Sequence, residues 1–389
     1  MSRVNNIDEF ERTISLIDVL GLNVNYGDSE GNIAFWGTGK IPVYNKNINP
    51  YILLDGSSGN MEVDSFYDFS LNPHVINPEN NFVATANNDP TLSGATYYPG
   101  YYLPVNRIDI INNELESQEM WDIEDVKELQ LNQYSERDFK LKSMICDIIQ
   151  DEINDDSYLR NGFETLKNWN GEYDSDAKAP LIMSKLYYFI NKNMMGDELP
   201  SDIFEYLSKS YLLSASVERL YSDNKSPWWD DINTPETIET RKDIFKKSFV
   251  ETLLQLKDEW GDDINNWRWE NAHQLTFPHF FSQQKLLARF FDIGPFKMPS
   301  CQGCINKMEY PSDNSKIHLV NGGPAMRNIV DFSNQGNSLG KIPTGQSGCQ
   351  GSKYYSDQTP LFINGIYRNM YLKDTTITKN DNVLYLKPE

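Results

Sequence analysis

The sequence predicts an α+β protein, with a β-rich stretch over residues 1–118, a helical insertion over 119–295 and a β-rich return over 296–389. Three observations carry this. Short alternating apolar runs, punctuated by Gly, Pro and Asn, make up the first stretch. Apolar residues recur at helical spacing through the second. The third is again rich in Gly, Ser, Asn and Pro, with short apolar runs between them. A β–α–β order along one chain fits a sheet-bearing body interrupted by helices.

Near the start, Phe10, Ile14 and Ile17 share one face of a short helix placed around Ile7 to Leu20. Leu22 to Tyr26 alternates, Gly27 to Gly31 reads as a turn, and Asn32 to Trp36 resumes the alternation, which is a hairpin signature. Pro73 and Pro78 bracket a loop before Phe82 to Ala86, a short buried-strand candidate. In the middle stretch, Phe139, Leu141, Met144, Ile145, Ile148 and Ile149 follow helical spacing, and Leu181, Ile182, Leu186, Phe189 and Ile190 repeat it. The clearest helix is expected to start at Thr234-Pro235-Glu236, a capping residue with Pro behind it, and to stop at Gly261. Beyond residue 296, Ile329-Val330 and a final edge strand over Val383 to Lys387 are the β candidates.

Composition narrows the function. The chain has 389 residues and a formal charge of −21, from 35 basic and 56 acidic side chains. That balance argues against nucleic acid and against an anionic membrane surface, which need clustered Lys and Arg. No apolar run reaches membrane-spanning length, and the first ten residues lack the apolar stretch of a signal peptide. The chain as written therefore reads as cytoplasmic, or as lacking its natural N-terminus. Of the four cysteines, Cys301 and Cys304 form a CxxC. The pair reads as two thiols in a turn or as a local disulfide. A metal site would need Cys349 and His318 brought to it.

Few residues point to chemistry. The four histidines lie far apart, and there is no HExxH, no G-x-S-x-G elbow, no phosphate loop and no GxGxxG. Asp230-Asp231 and Asp262-Asp263 read as solvated loop acids, because neighbouring positions point different ways. Trp228-Trp229 and Trp267-Arg-Trp269 read as core or interface anchors. The strongest signal is Ala84-Thr-Ala-Asn87-Asn88-Asp89-Pro90. Small residues there admit a close neighbour, and an Asn at a strand end can direct its N–H at a developing oxyanion. The other reading is an Asx turn that closes the strand.

Ala-Thr-Ala-Asn-Asn-x-Pro resembles the strand and loop of penicillin acylases, in the N-terminal nucleophile hydrolase superfamily. Other segments resemble that family in the same order: Asn23-Val-Asn-Tyr26-Gly-Asp28-Ser-Glu-Gly31-Asn32-Ile33, Gly39-Lys40-Ile-Pro42, Asn106-Arg107-Ile108, and Leu166-Lys-Asn-Trp169-Asn170-Gly171. Trp267-Arg-Trp269-Glu270-Asn-Ala-His273, Gly323-Pro324-Ala-Met-Arg327-Asn-Ile-Val-Asp331, Gly345-Gln346-Ser347-Gly348 and Ser352-Lys-Tyr-Tyr355-Ser-Asp357-Gln358 continue the series. Asn170 stands where the family has Asp, and Glu270 where it has Gly. Together the matches span residues 20 to 370.

The resemblance implies part of an αββα sandwich and an amidohydrolase that cleaves N-acyl amide bonds, such as those of β-lactams or acyl-homoserine lactones. An N-terminal Ser attacks the carbonyl while its own α-amine serves as base. Carried over residue by residue, Asn87 would be the oxyanion-hole side chain and Arg107 would orient the site. Pro50 alone falls where a carbonyl ligand of a structural calcium would lie, and no other cofactor is implied. The family's nucleophile lies well upstream of the hairpin, and here the hairpin begins near residue 22. The expectation is therefore the C-terminal portion of an acylase, partnered by a separate or missing N-terminal-Ser segment and by a small N-acyl amide substrate. Ser2 would become a free N-terminal Ser on removal of Met1, but it lacks the family's sequence context. The alternative is a non-catalytic remnant or interaction protein of acylase ancestry. Asn87→Ala discriminates between the two, since only the first reading needs that side chain.

Overall fold

The structure is a computed structural model. It describes residues 3–19, 21–44, 48–49, 52–59, 61–91, 100–153 and 156–370. Pro50, Ser2 and the tail strand expected at 383–387 lie outside the described residues. The chain forms two compact units, Met1–Glu119 and Met120–Glu389, and each is described by itself.

In the first unit, helix α1 (Ile7–Ile14) begins at Asn6, whose side chain accepts from Glu9 N. It is shorter than the expected Ile7–Leu20, since the chain turns after Ile14 and leaves Leu16 and Val19 exposed. The expected hairpin is present as β1 (Asn23–Gly27) and β2 (Ile33–Gly37), paired antiparallel. After the short antiparallel pair β3 (Pro42–Val43) and β4 (Ser65–Phe66), β5 (His74–Ile76) adds to the other edge of β2, in the order β1-β2-β5. The apolar face of α1 covers this sheet: Ile14, Ala34 and Trp36 are buried, with Phe10, Val24 and Tyr26 packed around them. Helix α2 (Asn106–Glu116) closes the unit.

The turn between β1 and β2 explains one stretch of the sequence pattern. Asp28 accepts from the Tyr26 hydroxyl (2.9 Å), from Asn32 N (3.0 Å) and from Asn32 Nδ2 (2.9 Å). Asn77, beside the sheet, accepts from Ile33 N. Burial and the neighbouring Asp28 push the Tyr26 phenol up to about 12. The spacing Tyr-x-Asp-x-x-Gly-Asn is therefore the hydrogen-bonding formula of this turn.

The second unit opens with helices: α3 (Ile123–Gln130), α4 (Glu136–Ile149), α5 (Ser157–Lys167), α6 (Ala179–Met195), α7 (Ser201–Ser208), α8 (Tyr211–Ser222), α9 (Arg241–Trp260) and α10 (Trp269–Ala272). α6 is apolar on nearly every side and is the buried centre, packed against α9. α5 approaches α9 so closely that a Cβ on Gly162 would stand 2.4 Å from Leu253. Trp229, Trp267 and Trp269 are core residues, as their apolar size favours.

α9 starts later than expected. Thr240 is its cap, in a reciprocal box with Asp243, so the first free N–H groups are satisfied there. Thr234 instead closes a preceding turn, its hydroxyl donating to Asp231 O and Glu239, and Ile238 is left exposed. Gly261 ends the helix at φ 86°, as expected of a C-terminal stop.

The rest of this unit is β-rich. Strands β6 (His273–Phe277), β7 (Ile293–Lys297) and β8 (His318–Val320) form one sheet in the order β7-β6-β8, with α11 (Lys285–Phe291) between β6 and β7 in sequence. β6 and β7 are antiparallel, β6 and β8 parallel. Strands β9 (Arg327–Ile329), β10 (Leu339–Lys341) and β11 (Arg368–Asn369) form another in the order β11-β10-β9, with α12 (Thr359–Ile363) before β11. Ile329 lies in β9 as expected, while Val330 falls just beyond it.

Candidate active site

The loop over residues 85–91 and the first turn of α2 meet within the first unit. Arg107, at the start of α2, donates from Nη2 to Ala86 O (2.6 Å) and to Asn87 Oδ1 (2.8 Å). Asn87 stands at φ 64°, a region Asn adopts more readily than most side chains. Its carbonyl accepts from Leu103 N at 2.9 Å, so the segment leading into α2 holds the loop as well. Asn88 folds back to accept from Ala86 N (3.0 Å), and Asn23 Nδ2 on β1 donates to Thr85 Oγ1 (2.8 Å).

This clamp orients the Asn87 side chain. Arginine carries donors only, so the carboxamide must present its oxygen to Arg107. Its NH2 then faces away from the guanidinium. Among the described residues no acceptor lies within hydrogen-bonding distance of it, and Asn87 is exposed. The result is a held amide donor at the tip of a loop, the chemical form needed to meet an oxygen that gains negative charge.

Of the two sequence readings of this segment, the structure shows the Asx turn. The Asx turn belongs to Asp89, whose Oδ1 accepts from Thr91 N at 2.8 Å. Asn87 is the residue left outside it. The expected strand at Phe82–Ala86 is not formed: this segment has no ladder partner among the described residues. Its backbone is tied instead by single bonds from side chains. Sequence reasoning named Asn87 and Arg107 but not the contacts of Asn88 and Asn23, which carry no local spacing signal.

Elsewhere, sequence-distant groups come together without forming an obvious site. His273 and His318 pair across β6 and β8. Both rings lie against Trp269 and Tyr310, and Trp269 stacks on His273 at 4.8 Å. Burial lowers His273 to about 4 and His318 to about 3, so both are neutral core imidazoles. Asp230, Asp231 and Asp263 accept from backbone N–H groups in turns, consistent with loop acids. Lys185 and Glu259 form an ion pair at 3.0 Å with side chains only 1% and 7% exposed. Arg327 is buried and donates to Phe362 O and Asn306 Oδ1, while Lys341 donates to Leu361 O, so two basic side chains serve the C-terminal carbonyls of α12.

Several quoted motifs thus resolve into packing devices. Gly171 adopts φ 91° beside Tyr134. Gly345 passes so close to Tyr354 that a Cβ would stand 1.8 Å from its carbonyl oxygen. Among the described residues no three His, Cys, Asp or Glu side chains converge to hold a metal, and no helix is long and apolar enough to cross a membrane.

The architecture has a clear counterpart. A solved structure of thermostable penicillin G acylase from Alcaligenes faecalis shares the fold with a TM-score of 0.66 and 16% identity, covering 100% of this chain and 71% of that chain. The fold is thus the α+β fold of a penicillin acylase. The chain belongs to the penicillin amidase family, whose model matches residues 1–379. Among curated relatives, acyl-homoserine lactone acylase QuiP of Pseudomonas aeruginosa is 23% identical over 94% of this chain and 46% of its own length. The QuiP of Pseudomonas syringae pv. syringae is 24% identical over 97% and 47%. Penicillin G acylase of Escherichia coli is 24% identical over 66% of this chain and 33% of its length. The chain spans about half the length of the QuiP relatives and a third of the penicillin G acylase.

Proposed function

We propose that this chain supplies the oxyanion-binding part of an amidohydrolase that cleaves N-acyl amide bonds, and that a serine nucleophile from a separate or additional segment completes the site. The observation that carries this reading is the Arg107–Asn87 contact, which holds the carboxamide oxygen and leaves its N–H2 as a donor. Family membership and the names of the relatives support amide hydrolysis as the reaction class, and an amide of an acyl-homoserine lactone, a β-lactam or a related small molecule is the proposed substrate.

In this reading the serine hydroxyl attacks the amide carbonyl and its proton passes to the serine's own α-amine. Charge builds on the carbonyl oxygen, where the Asn87 N–H donates to it. The C–N bond breaks, the amine leaves with a proton, and water releases the acid from the acyl-enzyme. Arg107 keeps Asn87 oriented. Donors fixed before charge appears are worth more than donors that must turn to it. No step depends on a calcium held through Pro50, which lies outside the described residues.

The test is reconstitution. The chain is isolated with whatever associates with it, and hydrolysis of a phenylacetyl amide and a long-chain acyl-homoserine lactone is measured. Activity that is lost in Asn87→Ala supports the reading. A folded chain that associates with its partner and is inert, or whose activity ignores Asn87→Ala, overturns it in favour of a non-catalytic or interaction protein of acylase ancestry.

A further inference from the structure

Cys301 and Cys304 take no part in the proposed reaction, yet they are unusually placed. Both side chains are fully buried, and their sulfurs lie 3.4 Å apart. Bond formation at the usual disulfide length needs each sulfur to move by roughly 0.7 Å. The turn that brings them together is built closely against α4: a Cβ on Gly303 would stand 2.4 Å from the Oγ of Ser135, the cap of that helix. Gly303 N donates to Cys301 Sγ at 3.3 Å, and Cys304 Sγ–H donates to Gln133 O at 3.0 Å. Each sulfur is therefore held on the side facing the other. Cys349 is exposed and Cys146 lies on α4, so neither belongs to this turn.

The residue between the two cysteines borders a cavity, which neither sulfur itself lines. Gln302 lines a small, partly open cavity of about 60 Å³ with Arg137, Tyr187 and Tyr310. Two polar atoms on its wall, Tyr187 Oη and Gln302 Oε1, are buried without a hydrogen-bond partner, and the Tyr187 side chain is more than nine-tenths buried. A space of this size holds a few water-sized molecules, and its unpartnered polar atoms suit a small polar guest. It has no room for a peptide-sized disulfide.

We propose that Cys301 and Cys304 are a reversible oxidation site at which hydrogen peroxide, entering beside Gln302, converts the dithiol to a disulfide. One sulfur attacks the peroxide, the O–O bond breaks, water leaves and a sulfenic acid forms. The second thiol attacks that sulfur, the S–O bond breaks, a second water leaves and the S–S bond forms. The two thiols lose two electrons and two protons, and the peroxide is reduced to two waters. Burial pushes the Cys301 thiol up, so closure is slow and stoichiometric and does not scavenge peroxide. The disulfide removes the Cys304 donor from Gln133 O and ties the turn that carries Ser300 and Asn306, partners of Trp269 and Arg327.

The experiment exposes the full chain to hydrogen peroxide, unfolds it under acid quench, alkylates free thiols and digests it after lysine. The peptide from Met298 to Lys307 is expected to be unalkylated and lighter by two hydrogens, and to regain both thiols with dithiothreitol. Two alkylated cysteines in that peptide, or stable added oxygen on sulfur at 301 or 304, overturn the proposal. Oxidised glutathione is expected to close the pair about tenfold more slowly or worse, since thiol oxidation follows access. Equal rates for the two oxidants overturn the cavity route. Gln302→Trp, which fills the cavity, is expected to slow closure by peroxide to a similar degree, and an unchanged rate in a folded variant counts against the route.

Discussion

Arg107 holds the Asn87 carboxamide oxygen at 2.8 Å, across twenty positions of sequence, and by doing so decides which face of that amide an incoming group meets. Two substitutions separate the donor from its orientation. Asn87→Ala removes the donor, and the expected loss in kcat is about 10²- to 10³-fold in a reconstituted enzyme, with KM much less affected. Arg107→Lys keeps the charge but offers a single point donor where the guanidinium reaches Ala86 O and Asn87 Oδ1 together. A smaller loss in kcat is expected, with circular dichroism unchanged. Steady-state kinetics on both variants check this.

The paired imidazoles of the second unit predict acid sensitivity. His273 and His318 titrate near 4 and near 3 in the folded chain, both lowered by burial, against about 6.5 when unfolded. Below about 6.5 the unfolded state binds more protons than the folded one, so stability falls as pH drops from there towards 4 and 3. Each histidine contributes at most about 1.4 kcal/mol per pH unit in that window. Urea unfolding at a series of pH values is expected to show the decline, and His318→Phe is expected to flatten it. A slope unchanged in the variant contradicts the assignment.

The ion pair between Lys185 and Glu259 predicts a non-additive double substitution. Lys185 Nζ also donates to Asn314 O and Ser315 O, so the ammonium is fully served inside the protein. Lys185→Met strands a buried carboxylate and is expected to cost about 3–5 kcal/mol. Lys185→Met combined with Glu259→Leu is expected to recover a large part of that, because no unpaired charge remains. Denaturant midpoints of the two single variants and the double variant measure the coupling.

Gly345 predicts a backbone clash. An alanine there would place Cβ 1.8 Å from Tyr354 O, and the neighbour is main chain, which yields poorly. Gly345→Ala is expected to destabilise the second unit by about 1–3 kcal/mol or more. Gly348→Ala, where a Cβ meets nothing within 4 Å, is the matched control and is expected to be close to neutral. Thermal melts of the pair decide it.

What the sequence determined by itself is local. The β1–β2 hairpin was legible because Asp28 meets Tyr26 and Asn32 within four positions, and turn chemistry of that range depends on nearby residues alone. The apolar periodicity of α4, α6 and α9 was legible for the same reason, and so was the helix stop at Gly261. The start of α9 was misplaced because Thr234-Pro235 and Thr240 both carry capping chemistry. Only the reciprocal bond with Asp243, realised once the preceding turn folds, selects between them.

The tertiary structure decided what depends on the path of the chain. The family motifs named Asn87 and Arg107 but not the bond between them. That bond requires α2 to return beside the loop, and it leaves the Asn87 NH2 as a donor while the Asn88 and Asp89 side chains accept from the loop's own backbone. His273 and His318 become neighbours through a parallel register, and Lys185 finds Glu259 through the packing of α6 on α9. Such contacts join residues separated by tens of positions, so they follow from the free energy of the whole packed core and leave no periodicity in the sequence to read.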